Sequence, residues 1–329
     1  MKAALEDIVS RILGTTGLSL RPGPAGFNST IYISDTDSGR YLVKVYKRRP
    51  RDHRNRLETE FRSLKYLWAQ GLRQVPEPVG RNQSRAIGIY RHMTGVRPET
   101  KTIADFDQAV RFLRQLRSLS RKTSSERFSR ASEACFSLSE YLDAVRRRYA
   151  RLVRVADTRL QKFLRDGFLP YFRETADYAA GEYARAGLTR FTRLPRKART
   201  LSPSDFGFHN ALKDDRGRII FLDFEYFGWD DPAKLISDFL LHPAMELAQV
   251  EQRYFFHKAY PLYKNADLRA RLPSVYRICA LKWCMIMLNA FLRKEDAGVQ
   301  SRQLTKAKSM LSRIAAEVRT GNLPFSGEL

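Results

Sequence analysis

Residues 201–232, LSPSDFGFHNALKDDRGRIIFLDFEYFGWDDP, decide how the rest of the chain is read. Within them, 211–213 reads as a short strand, Asp214-Asp215-Arg216-Gly217 carries turn chemistry, and 218–224 is a β-branched and aromatic run, so the stretch predicts a hairpin. A hairpin brings its two ends together. Asn210, just before the first strand, and Asp223, at the end of the second, are therefore expected side by side. Together they offer a carbonyl and a carboxylate suited to one Mg²⁺. Asp205, five residues upstream of Asn210, stands where it can face a substrate hydroxyl. That spacing suits phosphoryl transfer.

The pattern Asp-x4-Asn, hairpin, apolar run ending in Asp-Phe, then Asp-Pro is similar to that of the aminoglycoside phosphotransferase family. This family shares the two-lobed fold of the eukaryotic-like protein kinases and has choline and sugar kinases among its relatives. Asp205-Phe206-Gly207-Phe208-His209-Asn210 keeps the family's spacing from catalytic Asp to metal-binding Asn, and Asp223 to Asp231-Pro232 keeps its second spacing. The resemblance implies an ATP-dependent kinase of α+β class with a bilobal protein-kinase-like fold. Its small lobe, an antiparallel sheet plus helix, would span 1–93, and its large, mostly helical lobe 94–329. In one place the chain departs from the family, which usually has His-Gly before the catalytic Asp where this chain has Pro203-Ser204. That His is normally a scaffold residue, so the exchange bears on loop geometry more than on chemistry.

Toward the N-terminus, Leu5, Ile8, Val9, Ile12 and Leu13 repeat at helical spacing and Gly14 follows as a stop. Residues 18–20, 21–29 and 30–33 read as strand, loop and strand. In the related fold this loop covers the ATP phosphates, and the family often has a Gly and an Asn like Gly26 and Asn28. By itself, Pro and Gly between two strands is only a turn. There is no Walker A sequence, so the chain is not a P-loop enzyme.

Residues 40–46 form an alternating strand with Lys44 inside an apolar run. A lysine there is costly to bury without partners. In kinase-like folds the partners are the ATP α/β-phosphates and a glutamate from the next helix; the alternative is an outward residue on an edge strand. Residues 54–70 read as a helix with Leu57, Phe61, Leu64 and Leu67 or Trp68 in one apolar stripe, bordered by Glu60. Glu60 precedes Leu64 and Leu67 much as the family's helix glutamate precedes its leucines. Glu58 is the second candidate, and surface pairing with nearby arginines is the alternative for both. Val75-Pro76-Glu77-Pro78-Val79 resembles the family's connection into the sheet, and 86–95 reads as strand followed by hinge. The resemblance implies that the backbone of 89–93, including Tyr90 and His92, meets the adenine edge, with the lobe boundary there.

Beyond the hinge, 103–120 is expected to be a helix with Phe106, Val110, Leu113, Leu116 and Leu119 on one side, and 121–130 a polar, basic loop. Ser137-Leu138-Ser139-Glu140 matches a capping box. Helical patterning follows through Tyr141, Leu142, Val145, Tyr149 and Leu152, and again over 160–186. This is where related kinases build the acceptor pocket. Arg146, Arg147, Arg148, Arg151 and Arg154 there could hold an anionic substrate or form a solvated face. Asp231 reads as an N-cap and loop anchor rather than a metal ligand. Helices are expected over 232–239, 244–259, 275–293 and 301–319, with Cys279, Trp283 and Cys284 in the apolar pattern of the third.

The 329 residues suffice for one or two cores. The 59 Lys+Arg against 35 Asp+Glu give a formal net charge of +24, a field that attracts nucleotides, nucleic acids, anionic lipid surfaces or phosphorylated glycans and repels polycations; an Arg-rich composition or a solvated helical face is the equal alternative. A polycationic acceptor is thereby disfavoured. Cys135, Cys279 and Cys284 form no CxxC pair, which suggests a reducing compartment. Glu6 and Asp7 interrupt any signal-peptide core, and no membrane span is expected, so the chain is placed in the cytoplasm.

The combined expectation is an ATP- and Mg²⁺-dependent transfer of the γ-phosphoryl group to a hydroxyl of a small-molecule or saccharide acceptor, the net charge favouring an anionic one. Asp231 follows Asp223 by only eight positions, too few for a peptide-binding activation segment. The alternative is a catalytically weak or inactive kinase-like module that engages RNA or an anionic surface through its basic face.

Overall fold

The computed structural model describes residues 2–24, 26–48, 52 and 54–327, the side chains of 265 and 266 excepted. Ala25, inside the expected phosphate loop, lies outside the described residues. By contacts the chain falls into two units, Met1–Ala109 with Pro203–Gly228, and Val110–Ser202 with Trp229–Leu329.

The first unit contains, in chain order, α1 (Lys2–Leu13), β1 (Arg21–Pro22), β2 (Ser29–Thr36), β3 (Gly39–Tyr46), α2 (Arg56–Ala69), β4 (Pro78–Asn82) and β5 (Ile87–Arg91). Its sheet is antiparallel in the order β1-β2-β3-β5-β4. The period-2 alternation of β3 sends Tyr41, Val43 and Val45 to one face and Leu42, Lys44 and Tyr46 to the other. The first face packs with Ile87 and Ile89 against Leu5, Ile8, Val9 and Ile12 of α1. Each such buried apolar side chain contributes about 1.5–3 kcal/mol. Lys44 pairs with Ile31 on one side and Gly88 on the other, so β3 is central and the edge-strand reading of Lys44 does not hold.

Two details differ from expectation. Leu18 and Leu20 are buried in the core, but the ladder begins only at Arg21–Pro22: the apolar alternation marks burial, not pairing. The connection at 75–79 leads into a strand the sequence hides, because β4 starts on Pro78 and contains Gly80, both poor strand formers. Gly80 is required there, since a Cβ would collide with Ile12 of α1.

The hairpin forms as expected, with Ala211–Lys213 opposite Ile219–Phe221. Asp214 caps its turn by accepting from the N–H groups of Arg216 (3.0 Å) and Arg218 (2.8 Å), and Gly217 takes φ +73. The second strand stops earlier than the apolar run suggests. The Leu222 N–H donates to the Asn210 carbonyl at 2.8 Å, and Asp223 turns into the left-handed region at φ +63. Helix α3 (Ile103–Leu119) clamps the hairpin: Gln108 accepts from the Ile219 N–H (2.8 Å) and donates to the Gly217 carbonyl (2.9 Å). Buried Asp105 at its start holds the Lys213 ammonium at 2.9 Å.

The second unit is mostly helical: α4 (Leu138–Leu152), α5 (Thr158–Lys162), α6 (Leu169–Arg185), α7 (Pro232–Leu241), α8 (Gln249–Ala259), α9 (Leu268–Met287), α10 (Asn289–Leu292) and α11 (Ala297–Thr320). Helix α9 is its axis, touching α4, α6, α7 and α11. The run Leu268–Leu292 is long and apolar enough to cross a membrane, contrary to the sequence expectation. With 78% of its apolar window buried in the fold, it reads as a core helix. Cys279 and Cys284 lie on it and are buried, as expected. Between α5 and α6 the chain makes a π-helical turn, Phe163–Phe168, just before Pro170, which lacks the N–H needed to continue the α ladder.

Asp231 caps α7, accepting from the Ala233 N–H (2.9 Å) and from the Tyr141 hydroxyl (2.9 Å), and it pairs with Arg271. Of the expected capping box on α4, only the Ser137 half forms: its hydroxyl accepts from the Glu140 N–H at 3.3 Å. The Glu140 carboxylate instead accepts from the Phe136 N–H (2.8 Å) and pairs with Arg130.

Candidate active site

The first unit encloses a cavity of about 500 Å³. Gly26, Asn28, Lys44, Glu60, Tyr90, Asp205, Asn210 and Asp223 all line it. Of the sequence-predicted residues, His92 alone does not; its N–H donates to the Arg40 carbonyl at 3.0 Å. Met93 and Arg97, next along the chain, reach the cavity instead.

Alternation on β3 points Lys44 away from the α1 core, toward α2. Its ammonium lies 2.9 and 3.1 Å from the two oxygens of Glu60, and 3.4 Å from Asp223 Oδ1. Burial by itself would lower the Lys44 pKa, but the Glu60 and Asp223 carboxylates outweigh it and hold the ammonium above its usual range. Glu60, only 2% exposed, also accepts from the Tyr46 hydroxyl and, at 3.4 Å, from the Phe224 N–H. Glu58, the second candidate, points elsewhere and pairs with Arg81 at 2.7 Å.

The Tyr46 hydroxyl lies 2.8 Å from that of Tyr90, and burial followed by the Glu60 charge pushes both phenols well above their ordinary pKa. The Tyr90 ring sits over Gly88, where any Cβ would come within 2.7 Å of its hydroxyl. Glycine at this position therefore lets the ring lie flat on the sheet beneath the cavity.

The loop before the hairpin folds onto itself. Asp205 Oδ1 lies 3.1 Å from His209 Nε2, and the Asn210 side-chain amide donates to Asp205 Oδ2 (3.1 Å) and to its carbonyl (3.0 Å). With its amide nitrogen so engaged, Asn210 keeps its carbonyl oxygen as the hard donor it can offer a cation. Ser204, where the family has Gly, is held at φ +70. The left-handed backbone suited to that glycine is thus kept by a residue that pays strain for it. Asp223 is the second non-glycine of this loop system in that region.

Sequence reasoning missed two residues that tie the phosphate-loop candidate to the metal-site candidate. The Asn28 side-chain amide donates to Glu225 Oε1 (2.5 Å) and lies 2.7 Å from the Tyr226 hydroxyl. Glu225 is buried and also meets the Arg56 guanidinium at 3.3 Å. Its position two residues after Asp223, in an otherwise apolar run, is the signal that could have found it. Oxygens of Glu60, Asp223 and Glu225 lie within 4.8 Å of one another. Burial and then the Asp223 and Glu60 charges raise the Glu225 pKa. Three close carboxylates in a cavity that Asn210 also lines are an all-oxygen donor set, which fits Mg²⁺ better than a soft metal.

Comparison with solved structures finds the same fold in several phosphotransferases. Spectinomycin phosphotransferase APH(9)-Ia, solved in complex with ADP and spectinomycin, aligns over 96% of this chain and 98% of its own, with a TM-score of 0.64 at 14% identity. Choline kinase LicA from Streptococcus pneumoniae aligns over 94% and 99%, with a TM-score of 0.61 at 15% identity. Choline kinase from Cryptosporidium parvum aligns over 100% and 99%, with a TM-score of 0.62 at 12% identity. The α+β architecture is therefore the kinase-like one that the hairpin stretch suggests. No curated protein sequence matches the chain. Residues 19–270 match the family model of APH, the phosphotransferase enzyme family, and the chain belongs to that family.

Proposed function

We propose that the protein is a cytoplasmic ATP- and Mg²⁺-dependent kinase that transfers the γ-phosphoryl group to a hydroxyl of a small-molecule or saccharide acceptor, with its lobes divided after Met93. The observation that carries the proposal is the convergence of Lys44, Glu60, Asn210 and Asp223 on one cavity, with Asp205 in its lining. In this reading the Lys44 ammonium, fixed by Glu60, binds the nucleotide phosphates, and the backbone loop at Gly26 and Asn28 covers them. The segment 89–93 supplies the edge against which adenine rests, with Met93 at the cavity and the Tyr90 ring beneath it. Asn210 and Asp223 would hold Mg²⁺, which neutralises charge on the phosphate oxygens. Asp205 orients the acceptor hydroxyl and takes its proton, and His209 and Asn210 fix its carboxylate. Most of the rate then comes from positioning and charge neutralisation, because the transition state is loose.

Relatives named for spectinomycin and choline support a small hydroxyl-bearing acceptor. The net charge of +24 favours an anionic one over a polycation. A panel of sugars, glycans, phosphorylated metabolites and amino-alcohols with γ-labelled ATP tests this. Label transferred only to cationic acceptors contradicts the anionic preference. The assigned roles predict that Mg-ATP raises the melting temperature of the wild type and of Asp205→Ala but not of Asp223→Ala. Equal stabilisation of both variants removes the metal assignment. The RNA- or surface-binding alternative rests on the same net charge and predicts a steep loss of RNA affinity with salt and no phosphoryl transfer to any acceptor.

A further inference from the structure

In the second unit a separate open cavity of about 910 Å³ lies between the C-terminal end of α3, the turn Thr123–Arg127 and the turn Arg196–Ala198. Its lining is dominated by cations, Arg117, Arg121, Lys122, Arg196 and Lys197. Arg117 is the unusual one. It is only 6% exposed, its guanidinium donates to the carbonyls of Arg199 (2.7 Å) and Lys197 (3.3 Å), and its Nε has no partner. No carboxylate pairs with it among the described residues. Burial first, and then the like charge of Arg121, lower its pKa. Buried arginines are ordinarily paired, and a buried charge without a counter-ion is a standing cost to the fold. Arg121, in the turn just past the end of α3, adds a like charge instead of relieving it.

We propose that this cavity is an anion-binding site for a small phosphorylated, hydroxyl-bearing molecule, whose phosphate supplies the counter-charge that Arg117 and Arg121 do not find among the described residues. The cavity holds two carboxylates, Glu126 and Asp267, beside the cations. Carboxylates there repel a continuous run of phosphates, as in RNA, but accept hydrogen bonds from the hydroxyls of a phosphate ester. Arg196 lies over the Trp229 ring at 5.4 Å and 3.8 Å from Glu126, a placement that leaves its guanidinium shared between an aromatic face and a carboxylate at the cavity wall. The proposal is independent of the kinase reading, because none of these residues belongs to the cavity of the first unit.

The test is calorimetric titration of the full chain with inorganic pyrophosphate and with glucose 6-phosphate, for the wild type, the exposed-residue variant Arg121→Glu/Lys197→Glu, and Lys44→Ala. Expected are binding that persists in Lys44→Ala, so that it is not the nucleotide cavity being filled, and a loss of about tenfold or more in affinity in Arg121→Glu/Lys197→Glu. That double variant should melt no lower than the wild type without ligand, because its Arg121→Glu exchange replaces a like charge beside Arg117 by an opposite one. Unchanged affinity in the double variant, or loss of all binding in Lys44→Ala, overturns the site. A short single-stranded RNA that binds the wild type more tightly than either small anion, and is released by Arg121→Glu/Lys197→Glu, overturns the choice of a small ligand.

Discussion

Replacing Glu60 by Gln keeps the shape of the side chain and removes the charge that holds Lys44. The ammonium is 2.9 and 3.1 Å from the two carboxylate oxygens, and the side chains are only 14% and 3% exposed. At this separation an effective dielectric constant near 20 gives a gross attraction of about 5 kcal/mol. Breaking a buried pair by deleting one partner costs about 3–5 kcal/mol, because the other charge stays buried. Here Asp223 remains 3.4 Å from the ammonium but is 37% exposed, so it compensates in part. The expected loss for Glu60→Gln is therefore about 3 kcal/mol, at the lower end of that range. Lys44→Met/Glu60→Gln removes both charges and should cost less than the sum of the single variants by about 2 kcal/mol. Urea unfolding of the four proteins at neutral pH measures this coupling. The sign of the pH dependence is also fixed. The Lys44 pKa is raised in the fold, so its contribution is fully present below the unfolded lysine value and is lost only as pH rises through the folded one. The Glu60→Gln deficit should thus stay constant from about pH 6 to 9. Additive single-variant costs, or a deficit that vanishes by pH 8, would refute the argument that Glu60 exists to hold a charged Lys44.

Ser204→Gly should stabilise the fold by about 1 kcal/mol, since Ser204 sits at φ +70, where a Cβ is penalised and glycine is not; a rise in urea midpoint with unchanged slope checks it. Gly88→Ala should cost about 1–3 kcal/mol and weaken nucleotide binding, because the new methyl group meets the Tyr90 ring and hydroxyl at 2.7–3.0 Å; an unchanged melting temperature and nucleotide affinity would show that the ring is free to move. In the second unit, burial raises the Asp238 pKa, but Lys282 and Lys234 outweigh it and hold the carboxyl below its usual range. A depressed carboxylate stabilises above its unfolded value and loses that contribution as pH falls through the folded one. Asp238→Asn should therefore be strongly destabilising at neutral pH, with its melting temperature approaching the wild type below about pH 4; a gap that stays constant into acid would count against the buried Lys-Asp-Lys arrangement.

Much of the first unit was readable because its chemistry and its periodicity coincide in sequence. Lys44 breaks an apolar alternation on the face opposite α1, and a charged residue in such a run has to find a partner. The turn residues Asp214 and Gly217 fix the hairpin register locally, so the proximity of Asn210 to the end of the second strand follows without any long-range information. What stayed hidden depends on contacts far apart along the chain. β4 is a strand only because β5 is beside it, and Pro78 and Gly80 give no propensity signal. The exchange of Asn28 with Glu225 and Tyr226 joins positions that no local pattern relates. His92 illustrates the same limit from the other side. Being next to the hinge does not fix which backbone N–H groups face the cavity, and in the fold the ladder with Arg40 already uses that of His92.

The left-handed turn at Asp223 shows why the apolar run could not be read as a strand to its end. A strand continued through Leu222 and Asp223 would alternate their side chains across the sheet and carry Asp223 along the hairpin axis. Instead Leu222 spends its N–H on the Asn210 carbonyl, which closes the hairpin, and φ +63 at the next residue swings the Asp223 carboxylate back toward Lys44. An aspartate tolerates that conformation better than a β-branched or aromatic neighbour would, because its short polar side chain can hydrogen-bond locally. Asn at the same position shares this tolerance and differs chiefly in charge. Asp223→Asn should therefore keep the fold and the backbone turn while withdrawing one of the two carboxylates facing Lys44. A stable Asp223→Asn protein that no longer gains melting temperature from Mg-ATP would separate the role of the charge from that of the turn; an Asp223→Asn protein that still gains it would show that the cation does not need the Asp223 charge.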